Sequence, residues 1–202
     1  MAKIDGVDGL RAIYKQPSGR AVEKQLAALD RHCRRFIELS PFLLISTQGP
    51  DGLGDLSPKG DAPGFVAVLD DNTIAIPDRL GNNRLDTLEN LTRNPGVGLI
   101  FLVPGVDETL RLNGTAEIRD DEDLLNRFVV NRKPPATVIV VSVKEAYLHC
   151  AKALMRAKLW DTARHVERST LPSIGEMIRD QRGLGGAAES QDEMVEYYRK
   201  NL

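Results

Sequence analysis

Between Phe42 and His149 the chain is a succession of short β-prone apolar runs separated by turns rich in glycine, proline, asparagine and aspartate. This rhythm limits the fold more than any other feature. FLLIST (42–47), FVAVL (65–69), TIAIP (73–77), VGLIFLV (97–103), TLRLNGTAEI (109–118) and ATVIVVSVKEAYLH (136–149) read as strands. The turn Asp70-Asp71-Asn72 and the segment PGVDE (104–108) each join two neighbours as a hairpin. In 109–118, Leu110, Leu112, Ala116 and Ile118 share one parity, and Arg111, Asn113, Thr115 and Glu117 share the other. That alternation marks a strand with one buried face. The run Val138-Ile139-Val140-Val141 is apolar on both parities, as expected of a central strand or of one covered by a partner subunit. The fold expected is mainly antiparallel β, six to seven strands with flanking α-helices, of the α+β class. A closed barrel is the economical arrangement, because closure removes exposed edges.

Helical periodicity flanks and interrupts the strands. Val22, Leu26, Leu29, Cys33 and Phe36 recur at spacings of three and four, which predicts one helix from Arg20 to Leu39. Ser18 is its expected N-cap and Ser40-Pro41 its stop. Further helices are expected over Leu85–Arg93, Asp121–Arg132 and most of 151–202. The whole reads as one domain, 1–202: an N-terminal helical segment (1–40), a β core (41–150) and a C-terminal helical segment (151–202).

A net charge of −2, a pI near 6.0 and an aromatic content of 5% give no footprint for nucleic acid and no platform for stacking bases. No segment reaches the roughly 20 apolar residues that span a bilayer, and the first residues lack the apolar core of a signal peptide. Cys33 and Cys150 are isolated, which suits a reducing compartment. A cytoplasmic protein without nucleic-acid or membrane partners is expected.

Two segments carry chemistry. Ser57-Pro58-Lys59-Gly60-Asp61 occupies a strand position yet is almost devoid of apolar side chains. Such a strand faces solvent or a polar ligand. Gly60 would allow close approach of a flat ring, and Lys59 would place a positive charge beside it. The plainer reading is an edge strand blunted by lysine and proline. In Asp78-Arg79-Leu80-Gly81-Asn82-Asn83-Arg84, two guanidinium groups and two amides precede a helix start. These are the donors a phosphate monoester needs. The plainer reading there is a solvated turn in which Asp78 neutralises Arg79, or Asp86 neutralises Arg84.

In order and spacing, SPFLLIST, then GDLSPKGDAPGFVAVLDDNTIAIPDRLGNNRLDTLENLTRNPGVGLIFLVPG, then ETLRLNGTAEI resemble the FMN-binding split barrel of the pyridoxamine-phosphate oxidase-like superfamily. The chain is most similar to an oxidase-related branch that shares SP-basic-GD, IPDR-x-GN-x-R and NG-small-A. The segment Leu148–Arg156 extends the resemblance. It implies FMN as cofactor, with Ser57, Pro58, Lys59 and Gly60 against the ring system. Arg79, Asn82, Asn83 and Arg84 would bind the phosphate and ribityl chain. It further implies a homodimer with flavin at the interface, where Lys152, Arg156 and Trp160 would be the partner's contribution. The activity implied is an FMN-dependent oxidoreductase that exchanges hydride or electrons with a small-molecule redox substrate. Lys59 would be the catalytic group, stabilising negative charge on the flavin. The alternative is a non-catalytic protein or sensor that binds FMN, haem or a deazaflavin. The C-terminal stretch with which vitamin B6 oxidase holds pyridoxal phosphate is not found in Leu159–Arg164 or the tail, which speaks against that substrate.

His32-Cys33 and His149-Cys150 lack the close ligand pairing of zinc sites, so no metal is expected. Cys33 belongs to the apolar stripe and is expected in the core. Gly183-Leu184-Gly185-Gly186 follows no strand and reads as a link to the last helix, not as a dinucleotide fingerprint.

Overall fold

The computed structural model describes residues 3–17 and 19–201. The chain divides into two compact units, one ending at Trp160 and one beginning at Asp161.

The first unit opens with three helices: α1 (Gly6–Ile13), α2 (Arg20–Glu23) and α3 (Arg31–Leu39). The single helix expected over 20–39 is thus broken, for two reasons. Leu26 and Ala146 exchange two backbone hydrogen bonds of 2.9 Å, which draws the linker out alongside a strand. Asp30 then caps a new helix, its carboxylate accepting from the backbone N–H of His32 and Cys33 at 2.9 and 2.8 Å. The expected cap, Ser18, lies outside the described residues. Leu29 and Cys33 enter the core as the periodicity implied, and Phe36 packs against it partly buried; Ile37, outside that stripe, is buried as well, whereas Val22 stays exposed. Burial pushes the Cys33 thiol up to about 11, so it packs as an inert apolar group.

Seven strands follow: β1 (Phe42–Gln48), β2 (Gly54–Gly60), β3 (Ala67–Val68), β4 (Thr73–Asp78), β5 (Gly96–Leu102), β6 (Thr109–Arg119) and β7 (Thr137–His149). Between them lie α4 (Asp86–Arg93) and α5 (Glu122–Asn126), and α6 (Lys152–Ala157) follows β7. The strands form one antiparallel sheet in the order β2-β1-β5-β6-β7-β4-β3. Fold class and strand number agree with the sequence, and the sheet is split as the family resemblance implied, not closed as the strand rhythm alone suggested: β2 and β3 are the two ends of the ladder and do not pair. The barrel is split. The helix expected over 121–132 stops early, because Val130 and Lys133 bond backbone to backbone around Asn131 and Arg132, both at positive φ.

One face of the sheet holds an apolar core that includes Leu43, Ile45, Ile76, Phe101, Leu110, Leu112, Ile139 and Val141. On the opposite face of β7, Val138 packs with Ala75 and Phe128 beside α5, which explains its apolar character on both parities. A β-bulge at Asn113/Gly114 adds Lys144 to β7 without a partner and reverses the parity of that strand. Beyond it Ala146 enters the core, while Glu145, Tyr147 and His149 join Arg111 and Asn113 on the outer face. A Cβ on Gly114 would lie 2.1 Å from the Ser142 carbonyl oxygen, so the bulge requires glycine there.

The second unit holds two short 3-10 turns (162–164 and 168–170), α7 (Ile174–Gln181) and α8 (Gln191–Asn201). Ser173 and Glu176 form a capping box at the start of α7. Gly183 and Gly186, both at positive φ, lie in the link to α8.

Candidate functional site at the split of the sheet

β2 is an edge strand and so tolerates Pro58, since only one side of its backbone is needed for pairing. Its pleat sets the half-buried Asp55, Ser57 and Lys59 on one face and the exposed Leu56, Pro58 and Gly60 on the other. Across the split, Lys59 Nζ donates to Asp78 Oδ1 at 2.6 Å, and Arg79 Nε to Asp61 Oδ2 at 3.0 Å. Arg79 Nη1 also donates to the Phe128 carbonyl at 2.6 Å. Two ion pairs therefore fasten together strand ends that no ladder joins.

The chain then turns through a loop in which Asn83 adopts φ 60°, a region asparagine tolerates better than most residues. The Arg84 backbone N–H donates to Asn82 Oδ1 at 3.0 Å. The Arg84 side chain is 76% exposed and is paired with Asp86, Nε–Oδ2 being 2.9 Å. Leu85 is the N-cap of α4 and offers no side-chain acceptor, so the amides of the first turn carry no side-chain cap. α4 itself is held by Asn90, whose Nδ2 donates to Thr47 Oγ1 and Asp55 Oδ2, both at 3.1 Å.

These pieces enclose a cleft of about 220 Å³ lined by Asp55–Lys59, Asp78, Asn82 and Arg84–Leu88. Of the residues expected in a site, the structure brings Ser57, Pro58, Lys59, Asn82 and Arg84 together there. Asn83 shapes the loop and Arg79 is engaged by Asp61 and Phe128. A Cβ on Gly60 would meet the Pro41 carbonyl at 3.3 Å and the Phe42 ring at 3.4 Å. The room that glycine leaves is therefore toward Pro41 and Phe42 at the start of β1. Lys152 and Arg156 are exposed on α6, and Trp160 Nε1 donates to the Val106 carbonyl at 2.9 Å. Among the described residues, no hydrogen bond or ion pair ties these three to the cleft.

Sequence reasoning missed Asp55 and Asn90 and gave Asp61 no role, and its solvated-turn reading paired Asp78 with Arg79 where the structure pairs it with Lys59. The available signal was charge: Lys59 and Arg79 need carboxylates once they are half-buried, and Asp78 and Asp61 supply them.

Lys59 and Arg84 meet Asp55, Asp78 and Asp86, so the cleft as a whole is not strongly positive. Arg84 and the uncapped start of α4 are the parts suited to an anion. An exposed pair such as Arg84–Asp86 is worth only about 0–1 kcal/mol, and a bidentate phosphate is a stronger acceptor. Arg84 can therefore exchange Asp86 for a phosphate. A neighbouring hollow of about 330 Å³, which includes Asp51, Asp55, Asp86 and Glu89 in its lining, is acidic and does not suit one.

The family model described as pyridoxamine 5'-phosphate oxidase matches residues 29–150, more than half the chain, and the chain belongs to that family. Among solved structures, HupZ of Group A Streptococcus is 17% identical with a TM-score of 0.49, over 59% of this chain and 93% of that one. General Stress Protein 26 from Bacillus anthracis is 16% identical with a TM-score of 0.44, over 58% of this chain and 93% of that one. An FAD binding protein from Mycobacterium smegmatis is 15% identical with a TM-score of 0.44, over 61% and 97%. No curated protein matches the chain. No helix among the described residues is long and apolar enough to cross a membrane.

Proposed function

We propose that the chain binds FMN in the cleft at the split, as a cytoplasmic homodimer, and serves as an FMN-dependent oxidoreductase for a small-molecule redox substrate. One observation carries the proposal: β2, with Ser57 and Lys59 on its inner face, and the Asn82–Arg84 loop at the open start of α4 line the same cleft. The donor set fits the cofactor. Arg84, Asn82 and the first-turn amides of α4 would take the phosphate, and Ser57, Pro58 and Lys59 would flank the ring system. At about 220 Å³ the cleft is smaller than the 300–1,000 Å³ usual for ligand pockets, and the exposed Leu56, Leu80 and Leu85 lie on or beside it. A second subunit completing the enclosure accounts for both facts. Lys152, Arg156 and Trp160 are the residues assigned to that contribution.

When bound, the flavin supplies the hydride and electron chemistry. The chain supplies position and charge. Lys59 has three N–H donors, one of which goes to Asp78, leaving two for a developing anion. The Lys59–Asp78 pair also favours a second reading, a binder without turnover, because Asp78 cancels much of the charge that Lys59 would offer. Isothermal titration with FMN tests the shared part of both readings. The expected result is saturable binding that Arg84→Ala weakens by about tenfold or more. Equal affinity in the variant removes Arg84 from the site.

A further inference from the structure

Thr137, the first residue of β7, carries a buried hydroxyl that meets no hydrogen-bond partner. Among the described residues it shares that state with one other side-chain atom, Nδ1 of His149. A buried hydroxyl without a partner is destabilising and calls for an explanation. The strand register sets Thr137 directly opposite Asp78, the last residue of β4. Two residues along, the pair Ile76 and Ile139 lies in the core. Strand alternation therefore turns Asp78 and Thr137 to that same face. Side chains directly opposite on an antiparallel pair have Cβ atoms about 4.5–5.5 Å apart, so a rotation about their χ angles brings hydroxyl and carboxylate into contact. In the structure Lys59 holds the carboxylate instead, with Nζ donating to Asp78 Oδ1 at 2.6 Å. The Asp78 side chain is only 14% exposed, and among the described residues it accepts from no other donor.

We propose that Thr137 is a positioning residue for Lys59: its hydroxyl donates to Asp78 whenever Lys59 leaves that carboxylate for an anion in the cleft. The inference rests on the reading that Lys59 meets negative charge developing on the flavin, and it removes the main obstacle to that role. A largely buried carboxylate stripped of its one donor would draw Lys59 back. With Thr137 opposite, Asp78 exchanges a charge-assisted bond for one from a neutral hydroxyl, and the hydroxyl gains the partner it lacks. Releasing Lys59 is still uphill, but less so than it would be beside an apolar residue. The flexible stem and three rotatable donors of lysine suit such an exchange.

The test is a double-mutant cycle in urea unfolding of the full chain without FMN, combining Thr137→Val with Lys59→Ala. In the parent, Thr137→Val removes a hydroxyl that bonds nothing, and the unfolding midpoint should stay or rise. In the Lys59→Ala background Asp78 is already released, so Thr137→Val should lower the midpoint, and Thr137→Ser should lower it less. Lys59→Met, which keeps the stem of the side chain, serves as a second background and should show the same reversal. A fall in the parent, or equal shifts in parent and Lys59 variants, overturns the proposal. In protein loaded with FMN, Thr137→Val should slow anaerobic flavin reduction roughly fivefold at unchanged FMN affinity, and an unchanged rate overturns the proposal as well. The cycle uses no flavin, so a colourless protein that shows the reversal would remove the flavin reading and leave the Thr137–Asp78 exchange standing.

Discussion

Lys59 and Arg84 lie in the same cleft but are held differently, and their replacements should separate accordingly. Lys59 is half-buried against Asp78, whereas Arg84 and Asp86 pair in solvent. Lys59→Ala is expected to slow flavin reduction in anaerobic stopped flow by about tenfold or more while changing FMN affinity little. It also leaves the carboxylate of Asp78 unpaired, which costs about 1–3 kcal/mol in urea unfolding. Arg84→Ala should leave unfolding of the FMN-free protein unchanged, because an exposed pair contributes about 0–1 kcal/mol. The sequence offered Lys59, Asn82 and Arg84 through residue type and order. It could not show that Asp78 belongs to Lys59 rather than to its neighbour Arg79, because that pairing depends on how the two edges of the sheet come together. Gly114 was legible only as part of a shared motif, and the close approach of Ser142 gives the reason for it. Gly114→Ala should lower stability by about 1–3 kcal/mol.

Helix α3 depends on Asp30, and Asp30→Ala should cost about 1 kcal/mol of stability. Hydrogen bonds from the backbone N–H of Cys33 and then of His32 hold the Asp30 carboxylate below its ordinary 3.8. A depressed folded pKa means that the unfolded chain binds more protons. The capping contribution is therefore complete above about pH 4 and is lost as pH falls through the folded value. Acid titration of stability should show this loss in the parent and not in Asp30→Ala. The broken helix was hidden in the sequence because Leu26 and Leu29 continue the helical period. Their burial has another cause, the bridge between Leu26 and Ala146 and the packing of Leu29 on the core. Strand β2 shows the opposite case: its polar content made it legible as an edge or a ligand face, and the structure shows that it is an edge and lines the cleft.

At the scale of the molecule, the alternation of apolar runs and turns was enough to indicate an antiparallel sheet with flanking helices. Closure was not legible, because hairpin spacing does not specify whether the end strands meet. They do not pair, and the ion pairs Lys59–Asp78 and Asp61–Arg79 bridge the gap beside the cleft. The central claim is that this split holds FMN. Its most direct test is the visible absorption spectrum of the purified protein after mixing with FMN and desalting. The account predicts retained flavin bands, lost on desalting in Arg84→Ala. A parent protein that emerges colourless would contradict it.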